Sequence, residues 1–144
     1  MDLYRLETKD FDFWTHVKTR WSDMDSLGHV NHTAYLSYME TARVDLYKQL
    51  GYKGINKAMD ESTILASLEV TYLAPLSHPS SLKIGHRIIR VGTKSYDLIS
   101  GVFFESDDTP PLCSAYFKLV SFNYKTNQSI LVPEKIRENC RPLS

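Results

Sequence analysis

The sequence predicts an α+β fold in which a five-stranded antiparallel sheet wraps around one long central helix. Three observations predict it. A single stretch, 31–50, carries its apolar residues at helical spacing. Five further stretches of about ten residues read as strands, longer than the usual five or six. Nine Tyr, six Phe and two Trp supply the aromatic bulk that a helix enclosed by a sheet requires. At 144 residues the chain fits one domain spanning 1–144, because chains usually divide only beyond about 250 residues.

The first strand is read at 11–21, where Phe11, Phe13, Thr15, Val17, Thr19 and Trp21 alternate with Asp12, His16, Lys18 and Arg20. Period two marks a strand with one wet face. A turn-like segment at 22–30 contains Asp23, Asp25, Ser26 and Gly28. In the helix, Tyr35, Leu36, Met39, Leu46, Tyr47 and Leu50 form most of one stripe. Asn31 stands at the N-cap position and Gly51 where a left-handed C-cap belongs. Twenty residues give a rod of about 30 Å, the span of a small domain. The remaining strands fall at 64–73, 82–91, 95–105 and 112–124, punctuated by Pro75, Pro79, Gly92 and the DDTPP cluster at 107–111.

Composition narrows the function. Seventeen basic and seventeen acidic side chains cancel, which argues against nucleic acid or an anionic membrane, since both demand a basic excess. No 18-residue apolar run exists, and residues 1–12 lack the apolar core of a signal peptide. Cys113 and Cys140 have no C-x-x-C spacing, so they read as free thiols of a reducing cytoplasm.

One segment concentrates chemistry. Asp23, Asp25, His29 and His32 fall within ten residues, immediately before the helix. Free backbone N–H groups and the positive end of the helix dipole favour negative charge there. The same N–H groups would hold an oxyanion, and a carboxylate beside an oxyanion site suits attack on an activated acyl group. Capping is the commoner role of acids before a helix. A zinc or iron site built from those four residues is the weaker reading, because His29 precedes the helix and only Glu40 follows within ten residues. No metal and no cofactor are therefore expected. A haloacid-dehalogenase D-x-D nucleophile is also disfavoured, because it follows a buried apolar strand whereas VKTR at 17–20 is half polar.

The run WSDMDSLGHVN at 21–31, joined to Tyr35 and ETAR at 40–43, closely resembles the 4-hydroxybenzoyl-CoA thioesterase family of hotdog-fold proteins. VTYLAPL at 70–76, RVGTKSY at 90–96 and FKLVSFNY at 117–124 resemble that family's second strand, third hairpin and last strand. The resemblance implies an acyl-CoA thioesterase, with Asp25 as nucleophile or general base. The backbone N–H of His32 would polarise the thioester carbonyl, and Asn31 would orient water or the carbonyl. Gly28 would let the loop approach the substrate, and His29 would hydrogen-bond within the loop. His32 stands where relatives often carry a second Asn, a change that a backbone donor ignores. In another arm of the superfamily the carboxylate sits two turns into the helix, where this chain has Glu40. The competing role of Glu40 is an i, i+3 ion pair with Arg43. Asp23 reads as a structural turn or cap acid.

Coenzyme A needs cations for its phosphates. In the resembled hairpin only Lys94, followed by Ser95, matches the basic cluster of one arm of the family, with Arg87 and Arg90 as further candidates. Tyr35 and Tyr38 would line part of an acyl pocket. The carrier is expected to be coenzyme A ahead of acyl carrier protein, and a non-catalytic binding module on the same scaffold is the alternative. A hydratase is disfavoured by the Asp25-to-His29 spacing. The exposed edges of a five-stranded sheet, and the family's habit of placing sites between subunits, imply a homodimer or homotetramer.

Overall fold

The computed structural model describes residues 2–53, 56–106 and 108–143. Five long strands form: β1 (Phe13–Lys18), β2 (Ser62–Tyr72), β3 (Ser81–Val91), β4 (Ser95–Phe104) and β5 (Cys113–Asn123). A two-residue β6 (Gln128–Ser129) pairs with the end of β5. The strands run in the order β1-β3-β4-β5-β2, every pair antiparallel. The long helix α1 (His32–Gln49) packs on β1, β3 and β4, and a short α2 (Glu134–Arg137) follows the sheet. This is the curled sheet with one helix against it that defines the hotdog fold. Of the turn read at 107–111, Asp107 lies outside the described residues.

The helix ends where local chemistry dictates. The Asn31 side chain accepts from the Thr33 N–H at 2.9 Å. At the other end Gly51 adopts φ +108°, its N–H bonds the Lys48 carbonyl, and the Tyr52 N–H bonds that of Tyr47. These are the paired bonds of a Schellman cap, and the Tyr47 and Tyr52 rings close it edge to face at 6.4 Å.

The first strand is shorter than expected, six residues instead of eleven, for a reason that alternation cannot show. Phe11 leaves the strand plane and lies across the outer face of the sheet, packing edge to face on Trp14 and Phe103. It rests on Gly85 and Gly101, which face each other in the β3–β4 register; a Cβ on either would come within 2.8 Å of the Phe11 ring or its Cβ. Leu3, Leu6, Ile89, Ile99 and Phe103 complete this outer cluster. The main core lies on the concave side, between α1 and alternate residues of β3, β4 and β5. The half formed by β5 and the edge strand β2 is less covered by α1, so Leu65, Leu68 and Tyr72 stay exposed there.

Candidate active site

Trp21–Asp23 forms a 3-10 turn, and Met24 and Val30 then close an antiparallel bridge. The bridge is extended by the Asp25 N–H to the His29 carbonyl at 2.8 Å and anchored by the Asn31 N–H to the Asp23 carbonyl at 2.8 Å. Residues 24–30 are thus a tight hairpin delivered straight into α1. Gly28, at φ +82°, makes the turn. No side chain would crowd a Cβ there, so the requirement is backbone conformation alone.

Asp23 is buried and fully engaged. Its carboxylate accepts from the Tyr38 hydroxyl at 2.6 Å, the Arg20 N–H at 2.8 Å and the Arg20 guanidinium at 3.0 Å. Burial by itself raises its pKa, but the Tyr38 and Arg20 hydrogen bonds and the Arg20 charge outweigh burial and hold it below the usual carboxylate value. Burial, with the same carboxylate adding to it, pushes the Tyr38 phenol up. Asp23 is the structural acid that the sequence suggests.

Asp25 differs. One carboxylate oxygen accepts from the Leu27 N–H at 2.9 Å and the His29 N–H at 3.3 Å, which orients the group. The other oxygen has no protein donor among the described residues. Asp25, His32 and Tyr35 border one groove of about 400 Å³, whose opposite wall is Tyr72, Leu73, Ala74 and Pro75. At the helix start, Thr33 is capped by Asn31 and the Ala34 N–H bonds the Asn31 carbonyl. The His32 N–H has no acceptor among the described residues, and it sits at the positive end of an 18-residue helix. His29 serves the loop through its backbone N–H and carbonyl rather than its ring.

The structure adds residues that local spacing missed. Tyr72 donates to the His32 carbonyl at 2.9 Å, and its ring meets those of His32 and Tyr35 edge to face at 6.2 and 5.5 Å. Burial pushes the Tyr35 phenol up to about 12, with Cys113 and Tyr72 adding to it. Tyr35 and Tyr72 are therefore neutral walls of the groove.

Other candidates stand apart. Glu40 is exposed in a second groove of about 630 Å³, between α1 and β1, with His16, Thr41 and Lys48. No ion pair joins it to Arg43 among the described residues; the Arg43 guanidinium instead covers the Phe117 ring at 5.1 Å. Arg87 is held by the carbonyls of Arg141 and Pro142, and Arg90 by Asp97 and Ser95. Both are structural. Lys94 is exposed, beside Ser95 at the β3–β4 turn. Ser95 pairs with Val120, whereas Tyr72 pairs with Cys113, itself opposite Val102. Seven residues of β4 therefore separate Ser95 from the groove end of the sheet, about 24 Å at 3.4 Å per residue. Lys94 and Asp25 of one chain do not meet.

Among the described residues no three His, Cys, Asp or Glu side chains group to hold a metal, and no helix is long and apolar enough to cross a membrane.

Residues 19–140 match the thioesterase-like superfamily. The chain belongs to that superfamily. Among solved structures it is similar to the PA2801 protein of Pseudomonas aeruginosa, a proposed thioesterase, at 34% identity and TM-score 0.79 over 88% of this chain and 95% of that one. It is also similar to a thioesterase of Thermus thermophilus solved with coenzyme A and zinc, at 27% identity and TM-score 0.75, over 91% and 98% of the two chains. The uncharacterised protein YsmA of Bacillus subtilis is 31% identical over 88 residues, which span 61% of this chain and 58% of that protein. The loop and the helix that follows it lie within the matched residues.

Proposed function

We propose that this thioesterase-like protein hydrolyses an acyl-CoA thioester to the free acid and coenzyme A, as the resemblance to the 4-hydroxybenzoyl-CoA thioesterase family implies. One observation carries the reading: an oriented carboxylate with a free oxygen and an unpartnered helix-start N–H border the same groove. The thioester carbonyl oxygen accepts from the His32 N–H, which stabilises the charge that develops on it. The free oxygen of Asp25 then attacks the carbonyl carbon, or takes a proton from a water that attacks. The C–S bond breaks, and the thiolate leaves and is protonated. In the first route water hydrolyses the resulting anhydride and regenerates Asp25. Asn31 caps the helix and so fixes the oxyanion donor.

The reading includes a cytoplasmic homodimer or homotetramer, with coenzyme A contacts supplied across subunits. The separation of Lys94 from Asp25 within one chain supports this, as does the apolar edge strand β2. The test is release of free thiol from short, long and aromatic acyl-CoAs and from acyl carrier protein thioesters. Asp25→Asn is expected to lower kcat by roughly 10²- to 10⁴-fold. Unchanged turnover in that variant refutes the role of Asp25; tight binding of acyl-CoA without turnover favours the binding-module alternative.

A further inference from the structure

After Tyr72 the chain leaves β2 and runs through residues 73–77 beside the hairpin that carries Asp25. The Leu73 and Ala74 N–H groups both donate to the Leu112 carbonyl, at 2.9 and 3.2 Å, which pins this stretch at the start of β5. Pro75 follows, with φ fixed by its ring. One wall of the groove therefore shares the rigidity of the sheet, whereas the facing wall is a loop and the first turn of a helix.

Among the described residues three hydrogen bonds join 72–77 to that facing wall. The Val30 N–H donates to the Leu76 carbonyl at 2.6 Å, the Ser77 hydroxyl to the Gly28 carbonyl at 3.2 Å, and the Tyr72 hydroxyl to the His32 carbonyl at 2.9 Å. The first two hold the hairpin. The third alone reaches α1, and it does so at the residue whose N–H is open. The Asn31 side chain and carbonyl engage the next two N–H groups, those of Thr33 and Ala34. That cap acts within four residues, so it does not set how far the helix start lies from the opposite wall. The Tyr72 bond does.

The bond works by position rather than by polarisation. The His32 carbonyl shares its peptide plane with the Thr33 N–H, so drawing charge toward that oxygen leaves the peptide unit of the His32 N–H untouched. What the bond holds is the backbone of His32, at one phenol's length from the edge strand. The Tyr72 ring adds lateral contacts, meeting His32 and Tyr35 edge to face. Burial pushes the Tyr72 phenol up, with Cys113 adding to it, so the hydroxyl keeps the proton it donates.

We infer that Tyr72 is a positioning residue for thioester hydrolysis: its hydroxyl sets the width of the groove at the His32 N–H and so aligns the oxyanion donor with a bound thioester. The inference rests on the thioesterase reading of Asp25 and His32. Charge builds on the carbonyl oxygen mainly in the transition state, so a donor that wanders penalises kcat more than binding. A misplacement of about 1 Å costs up to about 10²-fold, and the surviving cap and Val30 bond should hold the loss here to roughly 10-fold.

The experiment measures thiol release from an acyl-CoA by the wild type, Tyr72→Phe, Tyr72→p-aminophenylalanine and Tyr72→p-methoxyphenylalanine. Phe keeps the ring and removes the donor. The amine returns a donor to the same place, and the methyl ether fills that place without donating. Tyr72→Phe is expected to lower kcat by roughly 10-fold with KM within about twofold. The amine should recover most of the loss and the ether none of it. A merely structural role would not separate amine from ether, and kcat would follow the urea midpoint across the series. If Tyr72→Phe keeps the wild-type kcat while Asp25→Asn loses it, the inference is wrong and the thioesterase reading stands. If KM rises while kcat holds, the hydroxyl serves binding and the inference is again overturned. If the wild type releases no thiol from any thioester, the reading of Asp25 fails and takes the inference with it. Sedimentation velocity on each variant is the remaining control. A loss of kcat that vanishes once protein concentration restores the wild-type assembly assigns Tyr72 to association of copies and overturns the inference.

Discussion

The Tyr38 hydroxyl donates to the buried Asp23 carboxylate at 2.6 Å, tying the second turn of α1 to the loop that precedes it. Asp23 in turn accepts from Arg20, and its carbonyl receives the Asn31 N–H. One buried acid thus clamps the end of the first strand, the start of the helix and both ends of the hairpin that presents Asp25. The acid read as structural holds the acid read as catalytic in place.

Replacing Tyr38 by Phe removes a hydrogen bond to a charged group while keeping the ring. The expected loss of unfolding free energy is about 1.5–3 kcal/mol, measured by urea titration. Turnover should fall more than KM rises, because the hairpin loses its fixed orientation to the His32 N–H. A variant as stable and as active as the wild type would show that the clamp is redundant.

Gly28 separates backbone conformation from space. At φ +82° an ordinary L-residue is disfavoured by roughly 1–2 kcal/mol, while Asn tolerates that region better. Activity is therefore expected to fall most for Gly28→Val, then Gly28→Ala, and least for Gly28→Asn, with the unfolding free energy lowered by up to about 1–2 kcal/mol in the first two. A ranking by side-chain volume in which Asn is worse than Ala would mean that crowding, not φ, decides.

What the sequence showed follows from which interactions are local. The Asn31 cap and the Gly51 cap act within a few residues, so the helix was legible to within one residue at each end. The strand at 112–124 is observed as Cys113–Asn123, since its alternation reflects a core face that the fold does bury. Asp25, His32 and Tyr35 were legible as a group because one hairpin and one helix turn bring them together. Tyr72 was not, because it reaches His32 only through the β2–β5 register, forty residues away. The expected Glu40–Arg43 pair failed for a related reason: the Phe117 face, brought in by β5, captures the guanidinium that i, i+3 spacing would have offered to Glu40. The outer packing of Phe11 was equally hidden, since nothing in its neighbourhood of sequence names Gly85 and Gly101 as its floor.

The edge strand β2 carries Ile64, Leu65, Leu68 and Tyr72, each about 40% exposed, along a row of backbone groups open to pairing. Two charges, Ile64→Lys with Leu68→Lys, should oppose edge-to-edge association of two copies. The expected result is a shift to monomer in sedimentation velocity, with loss of turnover if, as proposed, coenzyme A contacts are supplied by a second copy. Monomers that keep full activity would show that one chain holds a complete site.

His86 gives the fold a dependence on pH. Burial, with the Arg43 charge adding to it, pushes the imidazole down to about 3 from 6.5, and its Nε2 has no partner. Between those values the unfolded chain binds a proton that the folded protein refuses. Stability is therefore fully present above about pH 6.5 and is lost as pH falls, with a limiting slope of about 1.4 kcal/mol per pH unit. From pH 6.5 to 4.5 the unfolding free energy should drop by about 2 kcal/mol. The lowered carboxyls of Asp23 and Asp97 contribute mainly near and below their ordinary value of 3.8, so the comparison with a His86 variant is what separates the imidazole's share. Urea titrations of the wild type and His86→Gln across the window make the comparison. The variant should start less or equally stable and lose less on acidification. Parallel losses in the two proteins would mean that His86 accepts its proton in the folded state, through an opening of α1 over the sheet that the closed structure does not contain.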